Sequence, residues 1–261
     1  MKLFFRRFGQ GKPLVILHGL FGLSDNWATI GKRLAKDFEV YIPDLRNHGQ
    51  SPHSNIFNFP ALVEDVIEFT EENNLKETIL IGHSLGGITS MQVALQNPSL
   101  VKKLIIVDIS LRKYRNYDDH QQLINAMLSV DFSSVHKRSD VEKQLLKTIN
   151  SPKLCQFLLK NVYWRNKGRL DWRLNLAALN ENLPLIYEGA EGDKQFPGPA
   201  LFIRGELSDY ILDEDLDEIY KKFPRAELST VPNATHWVHS DAPEEFLEIV
   251  LQFIKKLDQL G

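Results

Sequence analysis

The chain has 261 residues, with 43% hydrophobic and 25% charged residues and a formal net charge of −3. This balance excludes disordered and fibrous classes, and the absence of a basic surplus argues against nucleic acid as a partner. A single cysteine, Cys155, forms no internal disulfide and fits a reducing compartment, so a cytoplasmic location is expected.

Arg6-Arg7 has the look of a twin-arginine export signal, but the apolar run that follows, Leu14 to Leu17, is far shorter than such a signal needs. The N-terminus reads as an edge strand and turn. No stretch approaches the roughly 18 apolar residues needed to span a membrane, and no membrane association is expected. LVILHG (14–19) reads as a central strand. Ser24 is the expected N-cap of a helix through SDNWATIGKRLAKDF, with Trp27, Ile30, Leu34 and Phe38 as its apolar positions. FEVYIPD (38–44) is the next strand. FPALVEDVIEFTEENN then gathers Phe59, Leu62, Val63, Val66, Ile67 and Phe69 on one helical face.

TILIGHS (78–84) reads as a strand that runs straight into the helix LGGITSMQVALQNP, which stops before Pro98. KLIIVDI (103–109) is a further strand. Residues 112–195 contain no convincing strand, and DDHQQLINAML, DVEKQLLKTI, CQFLLKNVYW and WRLNLAALNENL all read as helical. ALFIRGE (200–206) and the weaker AELSTVP (226–232) are strands. DEDLDEIYKKF and APEEFLEIVLQFIKKL are helices, with acids early and lysines late as the helix dipole favours. The alternation predicts an α/β fold with a mostly parallel central sheet flanked by helices. Residues 1–111 and 196–261 form the core, and 112–195 form a helical cap inserted over one end of the sheet.

Gly82-His83-Ser84-Leu85-Gly86 satisfies G-x-S-x-G between a strand and a helix. That context is a nucleophile elbow: a sharp turn exposes the serine oxygen while small neighbours let strand and helix pass closely. Ser84 is therefore the candidate nucleophile. An oxygen nucleophile needs a base, and His236 in NATHWVHS follows the last strand, where the histidine of this arrangement stands. His239 is its competitor. No carboxylate or cysteine cluster joins the two histidines, so neither metal nor organic cofactor is expected.

The acid is less plain. A carboxylate is expected after ALFIRG, but Ser208 stands at that position and Asp209 follows one residue late. Asp108, at the end of KLIIVDI, is the preferred acid, with Asp209 as the alternative. Either would hold the imidazole tautomer and stabilise the imidazolium. The oxyanion hole is assigned to the main-chain N–H groups of Leu85 and Leu20, with Phe21 as an alternative to Leu20. Phe21, Ser208 and Trp237 are candidate substrate-binding residues, and Trp164 and Trp172 are further candidates for an acyl pocket. Asp44, Arg46 and His48 are read as bracing the loop beside the site.

His18-Gly19, Asp44, Gly82 to Gly86 and His236 resemble the α/β-hydrolase superfamily along nearly the whole chain. LHGLFGLSDNW, DLRNHGQSPHS, GHSLGG, VDIS, QFLLKN and HWVH are similar to the small bacterial esterases of the YbfF type. The resemblance implies an α/β-hydrolase fold, a serine esterase acting on short to medium acyl esters or acyl-thioesters, and the acid at Asp108. The alternatives are a C–C bond hydrolase or perhydrolase on the same scaffold, or a non-catalytic ligand-binding receptor. Dehalogenases and epoxide hydrolases of this fold use an aspartate nucleophile, against which Ser84 argues. The partner expected is a small-molecule substrate, and the sequence leaves oligomeric state open.

Overall fold

A computed structural model describes residues 1–114, 117–166, 168–187, 189 and 193–258. Its central sheet is built from β1 (Phe5–Phe8), β2 (Lys12–Leu17), β3 (Phe38–Pro43), β4 (Thr78–His83) and β5 (Val101–Val107). Within 112–195 lies a hairpin of β6 (Val162–Asn166) and β7 (Arg169–Trp172). β8 (Ala200–Gly205) and β9 (Ala226–Val231) complete the central sheet, in the order β1-β3-β2-β4-β5-β8-β9. β1 runs antiparallel to β3, and the other pairings are parallel.

The uninterrupted apolar runs follow from burial on both faces. Val15 and Leu17 of β2 enter one core, whereas Leu14 and Ile16 enter the other. β5 divides likewise, with Leu104 and Ile106 on the first side and Ile105 and Val107 on the second. The first core is covered by α2 (Phe59–Glu72) and α3 (Leu85–Gln96), and the second by α1 (Ala28–Leu34) and α10 (Pro243–Asp258). α2 starts where Asn58 accepts a hydrogen bond from Ala61 N–H at 3.0 Å, a side-chain N-cap. Ser24 does not serve as expected. It lies inside a 3₁₀ turn, Ser24–Trp27, without a side-chain cap, and its N–H is taken by Asp44 Oδ1 at 2.6 Å.

Between β5 and β8 stand α4 (Asp118–Leu128), α5 (Arg138–Leu145), α6 (Pro152–Leu159) and α7 (Leu176–Asn182), with the β6–β7 hairpin. The expectation of no strand in 112–195 is thus corrected. Val162 pairs with Trp172 and Trp164 with Leu170. Leu170 and Trp172 are buried while Arg169 is exposed, the two-residue period of a half-buried strand. α8 (Leu216–Lys222) links β8 to β9, and α9 (Val238–Asp241) precedes α10. Among the described residues no helix is long and apolar enough to cross a membrane.

Candidate active site

Ser84 sits between β4 and α3 with φ +52° and ψ −118°, an unusual backbone conformation for a residue with a side chain. The turn is held by Ser84 N–H on Val107 O at 3.2 Å and by Gly87 and Ile88 N–H on Ser84 O at 2.8 and 3.1 Å. Its neighbours have to be small. A Cβ on Gly82 would stand 2.3 Å from Gly86 O, and one on Gly86 would stand 2.4 Å from Leu17 O. The motif therefore brings β2, β4 and α3 together more closely than any side chain allows.

Asp108 follows β5 directly, at φ +50° and fully buried. Its Oδ1 accepts from Gly205 N–H at 2.9 Å. Its Oδ2 accepts from the Ser208 hydroxyl and lies 2.8 Å from His236 Nδ1. A neutral His236 that donates from Nδ1 leaves Nε2 as its basic nitrogen. His83 Nε2 donates to His236 O at 2.9 Å, and Tyr210 stacks on the His236 ring with centroids 3.9 Å apart. Gly205 allows this convergence, since a Cβ there would meet Ala234 O and Thr235 O at 2.5 Å.

The alternative acid is placed elsewhere. Asp209 offers its main-chain oxygen to Arg112, and no contact between its carboxylate and His236 exists among the described residues. His239 is also apart from Asp108. It is buried, stacked on Trp27 at 3.9 Å, and held near pKa 3 by burial.

Ser84 opens on a small cavity of about 30 Å³ with Leu20, Leu85, Ile88, Ile109 and Ile186 on its apolar side. Tyr114, His120, Tyr187 and Tyr210 complete its lining. The N–H groups of Leu20 and Leu85 have no acceptor among the described residues. Phe21 N–H, by contrast, is committed to His48 Nε2 at 3.2 Å.

Phe21, Ser208 and Trp237 do not line this cavity. The Phe21 ring is buried 5.8 Å from that of His120, and Ser208 lies behind His236 on Asp108. Trp237 packs on Phe157 at 4.4 Å beside a separate cleft. Trp164 is exposed, and Trp172 is buried with its Nε1–H on Met127 O at 3.0 Å. His120, Tyr187 and Tyr210 were not singled out in the sequence. Packing alone assembles the first two beside Ser84, although Tyr210 stands only two positions past the conspicuous Ser208.

A buried polar layer fixes the neighbouring loops. Asp44 accepts from Ser24 N–H and from Gln50 N–H at 2.8 Å. Arg46 donates to both oxygens of Asp65, at 2.5 and 2.8 Å. His18 Nδ1 donates to Gly19 O at 2.8 Å and its Nε2 accepts from Leu45 N–H at 3.0 Å. His48 Nδ1 donates to Arg46 O at 2.8 Å. Burial lowers His18 to about pKa 4 and His48 to about 3, so both are neutral at pH 7.

Residues 12–243 match the family model described as alpha/beta hydrolase fold. The chain belongs to the α/β-hydrolase family, among its small esterases of the YbfF type, and the class of activity this defines is that of an ester-acting hydrolase. Esterase YbfF of Escherichia coli (strain K12) is 31% identical over 247 residues, covering 94% of this chain and 94% of the relative. The sn-1-specific diacylglycerol lipase ABHD11 of Xenopus laevis is 38% identical over 251 residues, covering 94% of this chain and 80% of the relative. A solved structure, a marine microorganism esterase, superposes with a TM-score of 0.93 at 42% identity. The match covers 97% of this chain and 99% of that one.

Proposed function

We propose that this protein is a serine esterase that cleaves carboxylic esters and acyl-thioesters of short to medium acyl chain through an acyl-enzyme on Ser84. The observation that carries this reading is the 2.8 Å hydrogen bond between His236 Nδ1 and Asp108 Oδ2, which orients the base, while Tyr210, stacked on His236, also lines the cavity at the elbow serine. Ser84 Oγ attacks the acyl carbonyl as its proton passes to His236 Nε2. Asp108 stays ionised and stabilises the imidazolium. The N–H groups of Leu20 and Leu85 receive the oxyanion. The imidazolium then protonates the departing alkoxide or thiolate. Water, deprotonated by His236, attacks the acyl-enzyme and releases the acid and Ser84.

The small cavity at Ser84 supports a short acyl group. Residues 112–195 act as the cap in this reading, supported by their supply of Tyr114, His120, Ile186 and Tyr187 to the cavity wall. A cytoplasmic setting is supported by the lone, buried Cys155.

Labelling with a fluorophosphonate, followed by mapping of the modified peptide, tests the reading. The adduct is expected on Ser84 and is expected to disappear in His236→Ala. A wild-type protein that takes up no probe would instead fit a binding-only protein on this scaffold.

A further inference from the structure

The cavity at Ser84 holds more hydrogen-bonding atoms than ester hydrolysis uses. Attack, proton transfer and oxyanion binding engage Ser84 Oγ, His236 Nε2 and the N–H groups of Leu20 and Leu85. Tyr114 lines the cavity, but its hydroxyl is already engaged. It accepts from Ser110 N–H at 2.8 Å and donates to Tyr210 O at 2.7 Å. Two polar atoms remain. His120 is tied at Nδ1 to the Tyr187 hydroxyl, and its Nε2 has no partner among the described residues. The Tyr210 hydroxyl has none either, while its ring is fixed on His236.

Both groups are uncharged at neutral pH. Burial lowers His120 to about pKa 4 and raises Tyr210 to about 12. A neutral imidazole and a phenol match a neutral oxygen better than a carboxylate. Leu20, Leu85, Ile88, Ile109 and Ile186 make the apolar part of the lining, and the small cavity, about 30 Å³, suits a short acyl group.

We propose that this site selects short acyl groups bearing a hydroxyl or keto oxygen one or two carbons from the ester carbonyl, with His120 and Tyr210 as the residues that recognise that oxygen. The inference rests on the serine-esterase reading above. An unsubstituted acyl chain displaces water from both groups and leaves them unpaired, a desolvation cost that the oxygenated acyl group avoids. Sites built to hydrogen-bond a substrate hydroxyl discriminate far more strongly than sites that merely accommodate one.

The test compares kcat/KM for p-nitrophenyl 3-hydroxybutyrate and p-nitrophenyl lactate with that for p-nitrophenyl butyrate, each divided by its hydroxide-catalysed rate. The wild type is expected to prefer at least one oxygenated ester by about tenfold or more. His120→Leu and Tyr210→Phe should each reduce that preference several-fold, and Tyr210→Phe keeps the ring on His236. His120→Gln, with its own donor and acceptor, should retain part of it. Turnover of butyrate with no preference for either oxygenated ester overturns the inference and leaves the esterase reading intact. A preference unchanged in both Tyr210→Phe and His120→Leu also overturns it. If no ester turns over and Ser84 takes no fluorophosphonate, both readings fail together.

Discussion

Asp108 Oδ2 lies 2.8 Å from His236 Nδ1 across 128 positions of sequence, and the Ser208 hydroxyl shares the same oxygen. The carboxylate that meets His236 thus comes from the end of β5, while the loop after β8 contributes a hydroxyl to it. Gly205 N–H, on the other carboxylate oxygen, ties the two strand ends together.

The first prediction follows from that geometry. Asp108→Asn should lower kcat by about 10⁴-fold, because a neutral amide neither holds the tautomer nor stabilises the imidazolium. Asp209→Asn should stay within a few-fold of wild type. Steady-state kinetics on both variants check this, and the reverse order of effects would move the acid to Asp209.

Arg46 is buried and doubly bonded to the equally buried Asp65. Asp65→Ala leaves that guanidinium without its counter-charge and should cost about 3–5 kcal/mol of stability in urea unfolding. The folded fraction should still hydrolyse esters, since the pair braces a loop and touches no reacting atom. Full stability in this variant would show that Arg46 is not held by Asp65.

Two glycines should respond differently to alanine. Gly82→Ala drives a Cβ against the Gly86 carbonyl oxygen and the Ser90 hydroxyl, at 2.3 and 2.4 Å. Backbone has to move at the elbow, and ester hydrolysis should fall by about 10²-fold, as for a displacement of about 1 Å at a reacting centre. Gly168 has φ +93° but open space around it, so Gly168→Ala should cost about 1 kcal/mol of stability with activity retained. Thermal melts and butyrate hydrolysis separate the two cases.

The buried histidines set an acid sensitivity. Burial lowers His18 to about 4, and His48 and His239 to about 3, from the usual 6.5. Above pH 6.5 these rings are neutral in both folded and unfolded chains. As pH falls below 6.5 the unfolded chain takes up protons that the folded one refuses. Stability is therefore lost down to about pH 3–4, by up to about 1.4 kcal/mol per pH unit for each ring. Burial lowers His83 and His120 as well, and Asp44, raised by burial, opposes this as one group against five. Urea midpoints from pH 8 to pH 4 should stay flat and then fall, and His239→Phe should make the fall shallower. A flat profile to pH 4 would contradict the account.

The strands of the central sheet were legible because burial on both faces leaves an unbroken apolar run, as in Leu14 to Leu17 and Leu104 to Val107. The serine was legible because its turn demands Gly82 and Gly86 at fixed offsets. The β6–β7 hairpin was not. Its first strand follows α6 after only Lys160 and Asn161, with no glycine or proline between them, so CQFLLKNVYW reads as one helix. Asn161 at that junction is buried and donates to Phe21 O at 2.7 Å, a tertiary bond that no local pattern announces. The cavity wall was hidden for the same reason. His120 belongs to α4 and Tyr187 lies 67 positions away, and nothing in their spacing points to Ser84. The tryptophans are candidates for an acyl pocket by sequence, yet the cavity at Ser84 is lined by Tyr114, Tyr187, Tyr210 and His120 and, among the described residues, by no tryptophan.

The most direct test of the central claim is hydrolysis of p-nitrophenyl butyrate by the wild type and by Ser84→Ala, measured side by side. The account predicts turnover by the wild type and a near-background rate for the variant, with an unchanged thermal melt. Equal rates would show that Ser84 is not the nucleophile and would contradict the mechanism.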